Sequence, residues 1–354
     1  MRLVHRSLAV GIAAAGILAA TSGSALGATI DVFSGGSIQA AVRSAHRGDV
    51  IVVHPGVYRQ SVSIKKDGLT LRGAGPSKSG SVIRPGANHR CGHGGSGICV
   101  VEHKPHGGGD KVPTAGTRIS GFLVRGFRDS GFLALNGKNT VIRHNKFLGD
   151  GEYGAAAFVS RRTRFINNLA KNAGEAGFYV GDSPHAKAFL KGNTARHNGA
   201  FGYFLRDSAH GLAVHNRATR NCLGFGLIDT GAPGGARKWT LRNNRAIKNN
   251  NSCPAGEEGP PVSGLGIGLS GARHTRVRGN VVRGNRPAGA SAFSGGILLV
   301  SGASDGGSNE AHVTLARNRV HRNQPLDIAW DGKGQGIKFR HNRCGSSQPG
   351  GICH

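Results

Sequence analysis

The chain reads as an all-β solenoid, a parallel β-helix, and three observations predict it. An asparagine recurs at Asn145, Asn168, Asn193, Asn216, Asn244, Asn280, Asn318 and Asn342, with gaps of 23, 25, 23, 28, 36, 38 and 24 residues. Apolar residues hold fixed offsets around it. Three residues before stand Ile142, Phe165, Leu190, Ala213, Leu241, Val277, Leu315 and Phe339, and two residues after stand Phe147, Ala170, Ala195, Ala218, Ala246, Val282, Val320 and Cys344. Many units also hold a second short run led by glycine, as in Gly131–Leu135, Gly177–Val180, Gly202–Leu205, Gly226–Ile228, Gly266–Leu269 and Gly296–Leu299. Short alternating runs punctuated by Gly and Asn are strands and turns. A leucine-rich repeat of this length would carry a leucine framework, which is missing, and no unit has enough helical periodicity for a helix.

Stacked coils place like residues ~4.8 Å apart. The asparagines then form a ladder of amides, each bonded to the coils above and below. A second ladder is expected five residues on, at Asn198, Asn221, Asn249, Asn285 and Asn323. Both are structural, the turns of the coil.

In chain order, the first element is a leader. Arg2 and Arg6 precede an apolar run from Leu8 to Ala20, and Ala25–Gly27 offers small residues for cleavage before Ala28. That is the pattern of a secretory signal, so the protein is expected to be exported. No later stretch approaches the ~20 apolar residues of a membrane span. Residues 36–47 read as a short amphipathic helix, with Ile38, Ala41, Val42 and Ala45 on one side, capping the open end of the first coil.

The segments Ile38–Val42, Gly48–Tyr58 and Val62–Gly75 then resemble the first coils of secreted right-handed parallel β-helix proteins of the pectin-lyase-like superfamily. The resemblance covers most of residues 28–343. It implies the fold and its hand. It leaves function open, because the superfamily holds lyases, hydrolases, esterases, epimerases and non-enzymes. The expected organisation is a signal at 1–27, a cap and first coils with a disulfide loop at 28–115, and repeats with the C-terminal end at 116–354.

Six cysteines agree with export. Pairing nearest neighbours gives Cys91–Cys99, Cys222–Cys253 and Cys344–Cys353, with other connectivities open. His89, His93, His103 and His106 flank the first pair, so a Cys/His metal site is the alternative there.

The chain has 46 Lys and Arg against 18 Asp and Glu, a formal net charge of +28. That is far more than solubility requires. The cations fall in columns: Arg143, Lys191, Arg242, Arg278 and Arg340 two residues before the ladder asparagine, then Lys146, Arg217, Arg245, Arg319 and Arg343 one residue after it. Lys171, Arg196, Arg283 and His321 stand three residues after. These offsets should face outward, making a positive stripe of about 35–40 Å. A linear polyanion is the ligand class that suits it, and Arg143, Lys191, Arg217, Arg242 and Arg245 are its expected contacts. There is no zinc finger, RNP-type aromatic pair or basic helix, so sequence-specific nucleic-acid binding is not expected.

The glycine-led strand is the other informative face. Alternation points Leu133, Ala157, Tyr179, Phe204 and Ile228 outward, and Tyr179 with Phe204 forms an expected platform for a sugar ring unless a loop from 84–116 or 253–264 covers it. Asp182 and Asp207 follow in one register, with Arg206, His185, His210 and Lys187 nearby and Asp229 one coil on. Stacked carboxylates repel and call for Ca²⁺, an arginine or a shared proton. A uronate lyase or epimerase needs a cation for the substrate carboxylate and a base for the neighbouring proton. Asp182, Arg206, Asp207 and His185 are the expected catalytic group, with Asp182 and Asp207 the expected calcium ligands and Asp229 a substrate contact. An acid pair could instead hydrolyse a glycosidic bond, and Asp at strand ends also simply closes turns.

Known family motifs mostly do not map. The polygalacturonase pattern is absent from the repeat body, Gly92–Gly94 lying in the disulfide loop. The opening around Gly56–Tyr58, similar to pectin methylesterases, lacks their central aspartate motif. The Tyr179–His185 stretch is similar to an alginate epimerase site, with spacing and order altered. The sequence thus points to a secreted monomer that binds an acidic polysaccharide, either as a uronate lyase or epimerase or as a noncatalytic polyanion-binding surface protein. Metal delivery by a β-helix repeat protein is a third reading, and the lack of a histidine ladder counts against it.

Overall fold

A computed structural model describes residues 27–87, 91, 95–105, 108–256 and 259–354. The leader lies almost wholly outside them, as do His89, His93 and His106. The described strands form three long parallel sheets. Sheet A holds the strand before each ladder asparagine, sheet B the strand after it, and sheet C the glycine-led strand. Every coil contributes to all three in turn. Register is kept from coil to coil, Ile142 facing Phe165, then Leu190, Ala213, Leu241, Val277, Leu315 and Phe339.

The two asparagine ladders are what hold the tight turns. Asn216 Oδ1 accepts from the backbone N–H of Asn193 at 3.0 Å and from its Nδ2 at 3.0 Å. Asn216 Nδ2 donates onward to Asn244 Oδ1 at 3.1 Å and to the Leu190 carbonyl at 2.8 Å. The pattern repeats from Asn145 to Asn342. Each buried amide therefore satisfies itself and the turn, which is the condition for burying polar groups at all. The second ladder runs from Asn198 to Asn323 and ends on the Asp327 carboxylate. Glycine is required opposite it: a Cβ on Gly177 would lie 2.7 Å from Asn198 Nδ2.

Inward residues of the three sheets fill the core. Phe165, Phe178, Tyr203 and Phe225 stack along the axis, the last two with ring centroids 4.4 Å apart. Helix α1 (Ile38–Ser44) is shorter than expected and begins at Ser37, whose hydroxyl accepts from Ala40 N–H. It buries Ile38, Ala41 and Val42 over the first coils, which is the capping role. The three cysteine pairs form as predicted, Cys91–Cys99, Cys222–Cys253 and Cys344–Cys353, which removes the metal alternative for the first. The longer coils place their extra residues at the corners: 229–236 and 301–311 between sheets C and A, and 250–256, 259–261 and 284–292 between sheets B and C.

Candidate functional site

The cationic columns stand where alternation puts them. Arg143, Lys191, Arg242, Arg278 and Arg340 project from sheet A and Arg217, Arg245 and Arg319 from sheet B, all exposed, with their apolar neighbours buried. The two rows flank the ladder corner and form one ridge. Arg317 and His341, on the tight turn itself, join Arg319 and Arg343 around a cleft of about 300 Å³. No ion pair among the described residues involves a ridge cation. At the next corner the His197 imidazole is held below its ordinary pKa by burial and then by Arg220, Arg196 and Lys171.

The outer face of sheet C departs from expectation. Tyr179 is fully buried and Phe204 is 3% exposed, so they are no open platform. From the two proposed loop segments, Val262 packs against the same apolar cluster. Cys91, Cys99 and Val101 pack on Leu133 and Leu135, at the first coils of the sheet. Tyr179 is buried by neighbours on its own face: Tyr153 at 4.8 Å, Phe158 at 4.5 Å and Phe204 at 5.3 Å between ring centroids. Phe201 stacks on Phe204 at 4.1 Å and also lies over Gly226, where a side chain would collide with it. The outward column is Leu133, Ala156, Tyr179, Phe204 and Gly226, so Ala157 faces inward and Ile228 belongs to the column of Arg206. Two glycines in Gly224–Gly226 and a run of alanines at Ala155–Ala157 left that register without a marker.

The polar rim of the same sheet brings three of the expected catalytic residues together, Asp182, Arg206 and Asp207. Arg206 lies over the Tyr179 and Phe204 rings, 5.7 and 5.8 Å from their centroids. Its guanidinium stands 3.5 Å from Asp182 and 3.9 Å from Asp207. The two aspartates differ sharply in access. Asp182 is 37% exposed, whereas Asp207 is 1% exposed. Asp207 accepts from the backbone N–H and hydroxyl of Thr230 at 2.8 and 2.5 Å, so it pins the 229–236 corner. Asp229 is also buried. It accepts from Gly231 and Ser308 N–H and faces Arg273 at 3.6 Å, tying two corner loops together. His185 is exposed on the turn beyond Asp182.

Arg206 supplies the positive charge these carboxylates need. Ca²⁺ takes six to eight oxygens, and no three His, Cys, Asp or Glu side chains gather among the described residues. Sequence reasoning missed Tyr153 and Glu175 at the opposite rim, where the Tyr153 hydroxyl donates to the Glu175 carboxylate. Burial raises both the Tyr153 and Tyr179 hydroxyls above their ordinary pKa; for Tyr179, Arg206 opposes the shift while Asp182 and Glu175 add to it. The repeated Gly151–Glu152 and Gly174–Glu175, in one register, was the available signal.

Coils, ladders and three parallel sheets define a right-handed parallel β-helix, and residues 130–305 match the family model described as the right handed beta helix region. Among solved structures, the chain is similar to the periplasmic alginate epimerase AlgG, with TM-score 0.59 and 12% identity over 89% of this chain and 77% of that one. The A-module of the Azotobacter vinelandii mannuronan C-5 epimerase AlgE6 gives 0.58 and 15%, over 88% of each chain. The catalytic unit of a GH87 α-1,3-glucanase from Streptomyces thermodiastaticus strain HF3-3 gives 0.62 and 16%, over 95% of this chain and 68% of that one. At these identities the likeness is one of fold. No curated protein matches. No helix among the described residues is long and apolar enough to cross a membrane.

Proposed function

We propose that this protein is exported and binds a linear acidic polysaccharide along the ridge at the ladder corner. The observation that carries the reading is the ridge itself: cations on seven of the eight ladder coils, from two sheets, with no acidic partner among the described residues. Three disulfides fit an oxidising compartment. The similar structures, whose names mark them as alginate epimerases and an α-1,3-glucanase, support a polysaccharide ligand. Binding of this type releases counterions and weakens steeply with salt. Retention on immobilised alginate, polygalacturonate and hyaluronan tests it. The triple variant R217T/R242T/R245T should bind on the order of tenfold more weakly, from the loss of three charge contacts. Elution of the native protein from every polymer at low salt would sink the reading.

One observation favours an enzyme. Asp182 and Arg206 converge at the rim of sheet C, both partly exposed, on a bed of aromatic rings. In a uronate lyase or epimerase Arg206 would neutralise the substrate carboxylate while Asp182 takes the adjacent proton. Unsaturated-uronate absorbance follows a lyase, and NMR of the product follows an epimerase. D182N should abolish either signal. Full turnover in D182N would remove this site from the chemistry.

A further inference from the structure

A second column of cations runs along the corner between sheets C and A, far from the ladder. Arg162, Lys187, His210, Lys238, His274 and His312 each stand six residues before a ladder asparagine. All six have left-handed backbone, with φ between 44° and 64°. Each donates its backbone N–H to a carbonyl of the next coil, from Arg162 to Ala186 at 2.6 Å through to His312 to Gln335 at 2.8 Å. The column is therefore in register over consecutive coils. The His274 and His312 rings stack with centroids 4.9 Å apart.

The backbone does not ask for these residues. Left-handed φ is adopted most readily by Gly and Asn. Those are what the column has at its two ends, Asn139 and Gly336. Like charges one coil apart repel, and no ion pair among the described residues offsets any of the six. Neither conformation nor stability accounts for six cationic or protonatable side chains in a row. A bound anion does.

We propose that this corner is a second binding track for an acidic polymer, with its charge set by pH. The track rests on the reading of an acidic polymer as ligand, and occupies the opposite edge of sheet A from the ridge. Arg162, Lys187 and Lys238 hold it positive throughout. His210, His274 and His312 supply its imidazoles, the side-chain type suited to a pH switch. His210 is half-buried and faces Lys187, His185, Arg237 and Lys238; burial and then these cations keep its imidazole below the ordinary value. His274 and His312 share a cleft of about 210 Å³ with Arg276, Thr314, Gly336 and Lys338. A polyanion laid on the track relieves the repulsion, so binding takes up protons.

Dextran sulfate is a suitable probe because its charge does not titrate. Calorimetry on the full chain at about pH 5.5 and pH 8 brackets imidazole ionisation. The native protein should bind roughly tenfold tighter at the lower pH, with proton uptake. H210N/H274N/H312N should lose that difference and keep its affinity at the higher pH. R162N/K187N/K238N should bind several-fold more weakly at both. Asparagine suits the left-handed turn, so both variants should keep their native circular dichroism and melting. A pH difference that survives in the histidine variant, or native affinity in the Arg/Lys variant, overturns the track. If R217T/R242T/R245T still loses binding in that case, the ridge reading stands. No binding by the native protein at either pH in low salt overturns both.

Discussion

Sheets A and B share one interior with sheet C, yet their outer faces are opposites. Around the ladder corner the strands are short, three residues in most coils, and about half of their outward positions are Arg or Lys. On sheet C the strands run to nine residues, and the outward positions are Tyr, Phe, Leu, Ile and Gly. There a glycine and the residue after it both face inward, as Gly202 and Tyr203 do, which frees Phe201 and Phe204 to turn outward and stack. The core dictates alternate residues in every coil and leaves the rest unconstrained. Each face of a solenoid is thus free to take its own chemistry, one here solvated and cationic, the other a second hydrophobic layer.

The largest test of that contrast pairs two adjacent residues. N216A removes both halves of a ladder amide and strands the N–H groups of Asn193. It should destabilise by about 3–5 kcal/mol, whereas R217A beside it should stay within about 0.5 kcal/mol. Urea midpoints read both, and similar losses would mean that the ladder is no more than surface decoration. F204A comes next, at about 2–4 kcal/mol if the outer layer is a packed core. A loss below about 1 kcal/mol would show the layer to be loose surface instead.

The smallest effect has the opposite sign. Asp150 is 1% exposed, five residues after Asn145, in the register of the second ladder. Its Oδ1 accepts from Phe127 N–H at 3.1 Å, while Oδ2 has no partner. Burial raises its pKa from 3.8 to about 8. The folded protein therefore holds this proton more tightly than the unfolded chain. Stability from that proton is present at low pH and is lost as pH rises from about 4 toward 8. D150N should accordingly raise the urea midpoint near neutral pH, by about 1–3 kcal/mol, and change little near pH 4. A gain of equal size at both would point to packing, not titration.

Much of this was legible in the residues. Offsets of three and two around each asparagine placed the core of sheets A and B, because alternation there is strict and each strand is short. Cysteine proximity gave the three disulfides. Sheet C was harder. The burial of Tyr179 depends on Tyr153 and Phe158 closing over it, which no local pattern encodes. Asp182 and Asp207 look equivalent in sequence, but Thr230 claims only Asp207. Asp229 is held through Ser308, 79 residues away. The corner cations escaped notice because they lie six residues from the ladder, beyond the strands it directly orders.

The second ladder has a direction. Every amide in it points its oxygen toward the earlier coil and its nitrogen toward the later one. Such a file of aligned dipoles has a donor pole and an acceptor pole, much as a helix has. A carboxylate at the donor pole meets hydrogens: Asp327 accepts from Asn323 N–H and Nδ2 and from Gly345 N–H. Toward the acceptor pole, beyond Ala173, Asp150 has one oxygen that meets none. The same side chain is a terminator at one end and a proton trap at the other. The axis of this solenoid is electrically polar, and its two poles offer a buried carboxylate different hydrogen-bonding surroundings.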